Sequence, residues 1–218
     1  GCKIAAVMIE VVQGEGGINL ASADYLQQLQ TLCENYSALL IADEVQCGNG
    51  RCGKYFAYQR FGLTPDVVTT AKGLGNGVPI GACLASGSAA QTLSPGTHGS
   101  TFGGNPLAMA VGNTVMDIVS SKKFLENIKR LSRYFFSNLN IIQQKYPKVI
   151  KDIRGRGYLI GIQLYKDQSK FIQKLMDKKL LTIRAAENVV RILPPLNVSK
   201  KEIDQAVTII NNVCKSYK

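Results

Sequence analysis

Two oppositely charged residues, Asp43 and Lys72, each follow an apolar segment that is typical of a buried strand. Asp43 follows the run at residues 38–42, and Lys72 follows the strand-like segment at residues 66–70. If both strands belong to one parallel sheet, both side chains emerge at its carboxyl edge, where ligands of α/β proteins bind. The two residues are therefore candidates for a functional site.

A carboxylate and an amine that face each other across a cleft suit the cofactor pyridoxal 5′-phosphate. The carboxylate of Asp43 would keep the pyridine nitrogen protonated, and the amine of Lys72 would form a Schiff base with the cofactor aldehyde. From the spacing alone, a plain Asp–Lys ion pair at the sheet edge is favoured over a cofactor site, and both interpretations stay open at this point.

The first part of the chain has the pattern of an α/β domain. An apolar run at residues 4–12, broken only by Glu10, a second run at 38–42 and a short strand-like segment at 66–70 predict strands, and helical spacing at residues 22–35 predicts a helix between the first two. Such strands are typical of a mostly parallel sheet with helices on both faces. Asn105 and Pro106 predict the start of another helix, which runs to about residue 119.

The second part of the chain predicts a smaller α+β domain. A strongly amphipathic helix begins near Phe124 and ends before Pro147. Strands are predicted at residues 158–164, 181–183 and 189–193, and a helix at residues 169–179. Ser199 and Glu202 form a capping box for a last helix. We therefore predict two domains, at residues 1–119 and 120–218.

Composition and charge exclude several classes of protein. Hydrophobic residues make up 45% of the 218 residues, which is too much for a disordered chain, and no apolar run is long enough to span a membrane. The net charge is +11, of which residues 121–218 carry +14 and residues 1–120 carry −3. The basic residues are spread singly and in pairs between apolar positions, as on solvated helix faces, so no nucleic-acid partner is expected.

The cysteines and the histidine predict neither a metal site nor a disulfide framework. The chain has six cysteines, none in a Cys-x-x-Cys pair, and one histidine. A reducing compartment, and hence the cytoplasm, is the expected location.

A long series of motifs resembles the class III (ornithine-type) pyridoxal-phosphate-dependent aminotransferases. The motifs are Asp-Glu-Val-Gln-Cys-Gly at residues 43–48, Gly-Arg-Cys-Gly at 50–53, Ala-Lys-Gly-Leu-Gly-Asn-Gly at 71–77 and His-Gly-Ser-Thr-Phe-Gly-Gly-Asn-Pro at 98–106. The resemblance covers essentially the whole chain. It implies part of the large domain of a fold-type I enzyme, followed by the small C-terminal domain.

The resemblance also implies cofactor-binding roles. Lys72 would bind the cofactor covalently and then move the substrate proton, and Asp43 would pair with the ring nitrogen. Val45 would pack on the ring, and Gln46 would hydrogen-bond the ring hydroxyl. The remaining two cofactor-binding residues are Ser100 and Thr101. They would reach the cofactor phosphate held by the partner subunit, so the protein would be a homodimer with shared active sites.

Two further residues match positions that bind substrate in this family. Arg191 would meet a substrate carboxylate, and Glu15 would pair with Arg191 when no dicarboxylate is bound. The substrates implied are an amino acid and a 2-oxo acid, with N-acetylornithine and 2-oxoglutarate fitting the series best. Ornithine or succinylornithine as donor, and a non-catalytic dimerisation or binding module, remain alternatives.

Members of this family are about twice as long as this chain. The resemblance implies that the glycine-rich phosphate cup, an aromatic residue that stacks on the ring and another carboxylate-binding arginine lie outside it. We therefore expect the chain by itself to bind the cofactor weakly and to turn over little.

Overall fold

The computed structural model describes residues 4–217, which form two compact units. The first unit comprises the described residues up to Val11, Ala21–Gly50 and Lys54–Leu125. The second comprises Val12–Leu20, Arg51–Gly53 and the described residues from Glu126 onward. Cys2, one of the six cysteines considered above, lies outside the described residues.

The first unit is built on a four-stranded sheet in the order β1-β2-β3-β4. Its strands are β1 (Ala6–Ile9), β2 (Leu39–Asp43), β3 (Val67–Thr70) and β4 (Ala82–Ala85). β1, β2 and β3 are mutually parallel, and β4 pairs with β3 in the antiparallel sense. The mostly parallel sheet expected from the apolar runs is therefore confirmed, with an antiparallel edge strand added.

Two helices of the first unit begin at side-chain caps, and the cap at Asn105 was predicted from the sequence. The helix α1 (Ala23–Asn35) begins after Ser22, whose side chain accepts the backbone N–H of Tyr25. The helix α2 (Pro106–Val119) begins after Asn105, which accepts the N–H of Ala108, and has proline in its first turn. Each cap satisfies a helix N–H that has no partner within the helix.

The second unit is an antiparallel sheet with helices, as an α+β domain requires. Its sheet has the order β5-β6-β8-β7, formed by β5 (Ile150–Arg156), β6 (Leu159–Leu164), β7 (Ile183–Ala185) and β8 (Val189–Ile192). The helix α3 (Lys122–Lys145) starts in the first unit and continues into the second, which also contains α4 (Gln168–Asp177) and α5 (Lys200–Ser216). The capping box of Ser199 and Glu202 is present at the start of α5.

The core of the second unit comes from the apolar faces of these elements. Phe135 and Leu139 of α3, Phe171 of α4 and Ile210 of α5 are each at most 1% exposed, and β6 is buried along most of its length. Within residues 4–217, no helix combines the length and the apolar character needed to cross a bilayer.

Three details of the sequence prediction were wrong. β4 and β5 were not predicted: β4 is a short apolar segment of four exposed residues at the edge of its sheet, and β5 contains four charged residues and has no alternating apolar pattern. The strand expected at residues 181–183 lies at Ile183–Ala185, where its backbone pairs with β8, and Leu181 is left 80% exposed.

Candidate active site

Asp43 is the last residue of β2, and one of its two carboxylate oxygens, Oδ1, accepts hydrogen bonds from neighbouring residues. Oδ1 accepts the backbone N–H of Val45 at 3.0 Å and the hydroxyl of Thr69, on the neighbouring strand, at 3.4 Å. Among the described residues, Oδ2 has no donor. The carboxylate is half-buried, so it is oriented by its neighbours and still has one oxygen available to a ligand.

Lys72 begins a single 3-10 turn, Lys72–Leu74, directly after β3. Its side chain is exposed, and its backbone φ is +47°. An L residue other than glycine in this left-handed region is disfavoured by about 1 to 3 kcal/mol, so the surrounding structure must hold it there. Such strain is concentrated at functional sites.

The register of the sheet brings these two segments together. Asp43 on β2 is aligned with Thr69 on β3, three residues before Lys72, and the ladder continues with the N–H of Glu44 donating to the carbonyl of Thr69 at 2.9 Å. The described residues contain no ion pair between Asp43 and Lys72. The plain ion pair, which the spacing left open, is therefore not what the structure contains.

The loop after β2 carries Val45 and Gln46, and both side chains are half-buried. Glu44 lies between Asp43 and Val45 in the chain, and it was not predicted from the sequence as a residue of the site. Glu44 is fully buried, and its carboxylate accepts the backbone N–H groups of Ala57 and Tyr58, each at 2.8 Å. Glu44 therefore ties the loop that carries the predicted residues to a segment thirteen residues further on.

Burial perturbs the ionisation of Glu44. Loss of hydration raises the pKa of this carboxyl above its ordinary value, although the hydrogen bonds from Ala57 and Tyr58 oppose the shift. The Sγ of Cys47 lies 3.3 Å from Oε2 and completes the surroundings of the carboxylate. A buried carboxylate with these partners fits a structural role in the loop.

Ser100 and Thr101 lie in an exposed loop before α2. Oγ of Ser100 accepts the N–H of Gly103 at 3.1 Å, which is a local turn contact. No contact among the described residues joins Ser100 or Thr101 to Asp43 or Lys72, so the structure does not bring these two hydroxyls to the edge where β2 and β3 end.

In the second unit, Glu15 and Arg191 form an ion pair. Nη1 of Arg191 donates to Oε1 of Glu15 at 2.6 Å. Arg191 lies on the buried strand β8 and is 6% exposed, whereas Glu15 lies in an exposed loop. The pairing expected from the resemblance is therefore present in the geometry.

The loop that carries Glu15 is anchored by a residue that the sequence did not single out. Nε of Arg154, on β5, donates to the carbonyl of Gly17 at 2.8 Å, and Nη2 donates to Glu187 at 2.5 Å. The N–H of Ala186 donates to the carbonyl of Glu15 at 2.9 Å. These bonds hold the backbone carbonyls of Glu15 and Gly17 next to the residues that precede β8.

The donor set fits pyridoxal 5′-phosphate. Asp43 offers an oriented carboxylate with an open oxygen, which suits a protonated ring nitrogen, and Lys72 offers an exposed amine near the same sheet edge. The hydroxyls of Ser100 and Thr101 stand beside glycines, a combination that suits phosphate oxygens.

Comparison with known proteins identifies the class to which this fold and these residues belong. The family described as aminotransferase class III matches residues 1–214, and the chain belongs to that family. The cofactor of class III aminotransferases is pyridoxal 5′-phosphate.

Among its relatives, the chain is 52% identical over 214 residues to the acetylornithine aminotransferase of Clostridium acetobutylicum, covering 98% of this chain and 55% of the relative. It is 49% identical over 211 residues to the acetylornithine aminotransferase of Oceanobacillus iheyensis, covering 97% of this chain and 53% of the relative. The chain spans about half the length of the curated relatives it matches.

Solved structures agree with the fold. An ornithine aminotransferase from Plasmodium yoelii superposes with a TM-score of 0.92 at 34% identity, and an N-acetylornithine aminotransferase from Stenotrophomonas maltophilia with a TM-score of 0.88 at 34% identity. Each comparison covers 98% of this chain and 57% of the other. The predicted family and fold class are thereby confirmed.

Proposed function

We propose that this chain is part of a pyridoxal-phosphate-dependent enzyme that transfers an amino group from N-acetylornithine to 2-oxoglutarate, producing N-acetylglutamate semialdehyde and glutamate. The observation that carries the proposal is the parallel register of β2 and β3, which sets Asp43 beside the strand that leads to Lys72. The relatives named acetylornithine aminotransferase, at 43–52% identity, support the choice of amino donor.

Lys72 is the proposed catalytic residue. It holds the cofactor covalently until the substrate amine takes its place. Pyridoxal 5′-phosphate, when bound, supplies an electron-withdrawing ring that stabilises negative charge at the substrate Cα. The amine of Lys72, once freed by the substrate amine, would move the proton between the substrate Cα and the carbon of the cofactor that had been bonded to Lys72, since it is tethered within reach of both positions.

Asp43, Val45 and Gln46 form the proposed cofactor-binding side of the site. Asp43 keeps a proton on the ring nitrogen through Oδ2, while the N–H of Val45 and the hydroxyl of Thr69 orient the carboxylate. The side chain of Val45 packs on the ring face, and Gln46 hydrogen-bonds the ring hydroxyl.

Ser100 and Thr101 bind the cofactor phosphate of a second copy of the protein. Their exposed loop, with no described contact to Asp43 or Lys72, is consistent with a role toward another subunit. The active form would therefore be a homodimer with shared active sites, in the cytoplasm.

Arg191 binds the carboxylate of the substrate, and Glu15 occupies the guanidinium when no dicarboxylate is present. A guanidinium recognises a carboxylate through parallel N–H groups, so a ligand carboxylate can take the place of Glu15. This exchange would let one arginine serve both an amino donor and 2-oxoglutarate.

Reductive trapping tests the proposed role of Lys72. The protein is incubated with pyridoxal 5′-phosphate, reduced with borohydride and digested, and the modified lysine is identified by mass spectrometry. We expect the label at Lys72 and its loss in Lys72→Ala, while Lys54→Ala, which removes another exposed lysine of the first unit, keeps it. A label distributed over many lysines and unchanged in Lys72→Ala would overturn the assignment.

Ornithine is the second candidate donor, because solved ornithine aminotransferases superpose with TM-scores up to 0.92. Comparing kcat/KM for N-acetylornithine, succinylornithine and ornithine distinguishes the donors. No transfer with any of them by the longer protein that contains this chain, together with no label at Lys72 in that protein, would favour a non-catalytic binding module.

A further inference from the structure

Asn49 is a buried polar residue that the proposed reaction does not use. It lies in the loop after β2 and is 4% exposed. Its Nδ2 donates to Oγ1 of Thr70 at 2.9 Å and to the carbonyl of Ala71 at 3.0 Å. Both acceptors belong to the two residues that directly precede Lys72.

The contacts of Asn49 are directed to this one segment. Among the described residues, its Oδ1 has no hydrogen-bond partner although the atom is buried. An unpaired buried acceptor is unfavourable, so an apolar side chain would be preferred here unless the donated hydrogen bonds had a use. Those bonds hold Thr70, the last residue of β3, and Ala71, which follows it.

The backbone at Lys72 needs such support. Its φ of +47° is disfavoured for lysine, and the 3-10 turn gives it only two local hydrogen bonds, from Leu74 N to the carbonyl of Ala71 and from Gly75 N to the carbonyl of Lys72. Asn49 adds a second donor to the carbonyl of Ala71, which belongs to the peptide group that joins Ala71 to Lys72.

Asn49 also leaves little room for a side chain on the residue after Lys72. A Cβ placed on Gly73 would lie 3.2 Å from Cβ of Asn49, which is tighter than an ordinary contact. Asn49 therefore lies beside the chain both before and after Lys72. Its own φ of +51° is one that asparagine tolerates better than most residues.

We infer that Asn49 is a positioning residue for Lys72: through Thr70, Ala71 and Gly73 it fixes the backbone from which the lysine amine reaches the cofactor. The inference rests on the proposed function. It predicts that loss of the Asn49 side chain slows the bonding of cofactor to Lys72, because the amine is no longer held in the reactive direction.

The test substitutes Asn49→Gly, which keeps the left-handed backbone accessible and removes both hydrogen bonds. Asn188→Gly is the matched control, because Asn188 also has a positive φ of +61° and donates to two carbonyls, those of Leu164 and Lys166, but lies in the second unit. Thr70→Val and Thr70→Ser form a second pair, of which only the serine keeps the hydroxyl acceptor.

Two readouts are taken. In the cofactor-free protein, amide hydrogen exchange at Leu74 and Gly75 reports whether the turn after Lys72 is held. On addition of pyridoxal 5′-phosphate, borohydride trapping over time gives the rate at which Lys72 is labelled. We expect Asn49→Gly to speed the exchange and to slow labelling by roughly tenfold, with Thr70→Val intermediate and Thr70→Ser close to the unsubstituted protein.

The outcomes separate the inference from the proposed function. Unchanged labelling of Lys72 in both Asn49→Gly and Thr70→Val, or equal slowing in Asn188→Gly, would overturn the inference and leave the proposed function intact. No label at Lys72 in the unsubstituted protein would overturn the proposed function, and with it the inference.

Discussion

Nη1 of Arg191 lies 2.6 Å from Oε1 of Glu15, although 176 residues separate them and their exposures are opposite. The arginine side chain is 7% exposed, and that of the glutamate is 71% exposed. The buried partner is the cation, and the solvent-exposed partner is the anion. A ligand carboxylate could therefore replace Glu15 without moving Arg191.

Removing the charge of Glu15 should favour dicarboxylate substrates. In Glu15→Gln we expect the KM for 2-oxoglutarate to fall about threefold, because the solvent-exposed carboxylate of Glu15, whose pairing is worth about 1 kcal/mol, no longer competes for Arg191. Steady-state kinetics of the enzyme with 2-oxoglutarate measures this. Glu187→Gln, which removes the partner of Arg154 instead, should leave that KM unchanged, and an equal fall in both variants would contradict the exchange.

Asp43→Asn should weaken cofactor binding while preserving the shape of the site. The amide keeps an oxygen for the N–H of Val45 but carries no charge for the ring nitrogen, so we expect affinity for pyridoxal 5′-phosphate to fall about 10- to 100-fold. Absorbance titration measures it. Asp66→Asn is the control, since Asp66 accepts the N–H of Leu40 from the other end of β3; an equal loss there would contradict a specific role for Asp43.

Glu44→Gln should change how stability depends on pH. Burial raises the pKa of Glu44 in the folded state above the ordinary value of 4.5, so the folded state binds the proton more tightly than the unfolded state does. The contribution of Glu44 to the stability of the folded state is therefore fully present at low pH and is lost as the pH rises through its raised pKa. We expect the destabilisation by Glu44→Gln to be larger at pH 4 than at pH 7, measured by denaturant unfolding.

Glu202→Gln provides a control of opposite sign. Hydrogen bonds from Ser199 lower the pKa of Glu202, so its contribution is present above the ordinary value and is lost as pH falls through the lowered one. The destabilisation by Glu202→Gln should therefore be larger at pH 7 than at pH 4. The same pH trend in both variants would show that burial of Glu44 does not govern its titration.

Gly75→Ala should disrupt the turn that follows Lys72. A Cβ on Gly75 would lie 1.9 Å from the carbonyl oxygen of Val78, so the turn must move, at a cost of about 1 to 3 kcal/mol. Gly81→Ala is the control, because its nearest contact, the carbonyl of Thr70, would be an ordinary 3.5 Å away. Denaturant unfolding measures the loss of stability, and reductive trapping measures the labelling of Lys72. Similar results for Gly75→Ala and Gly81→Ala would contradict a specific disruption of this turn.

Elements with strong local patterns could be predicted from the sequence. The apolar runs of β2 and β3, the amphipathic face of α3 and the caps at Asn105 and Ser199 are local features that act within a few residues. By contrast, β5 becomes a strand by pairing with β6, and its own residues include four charges. No local pattern could have indicated it.

The same distinction applies to the candidate site. Asp43 and Lys72 could be predicted because strand ends of a parallel sheet share an edge. Glu44, Asn49 and Arg154 could not, because each of them bonds at least one backbone group far along the chain. A backbone group leaves no signature in the residue types, so these supports become visible only in three dimensions.

The left-handed backbone at Lys72 implies that this residue opposes the stability of the protein that carries it. The side chain of Lys72 is exposed, and asparagine tolerates a φ near +47° better than lysine does. Lys72→Asn should therefore raise the free energy of unfolding by about 1 kcal/mol, although it removes the amine. Lys54→Asn, at an exposed lysine without a positive φ, should give no such gain, and equal effects in the cofactor-free proteins would contradict the expectation. Selection for stability alone would therefore discard this lysine, and selection for activity retains it.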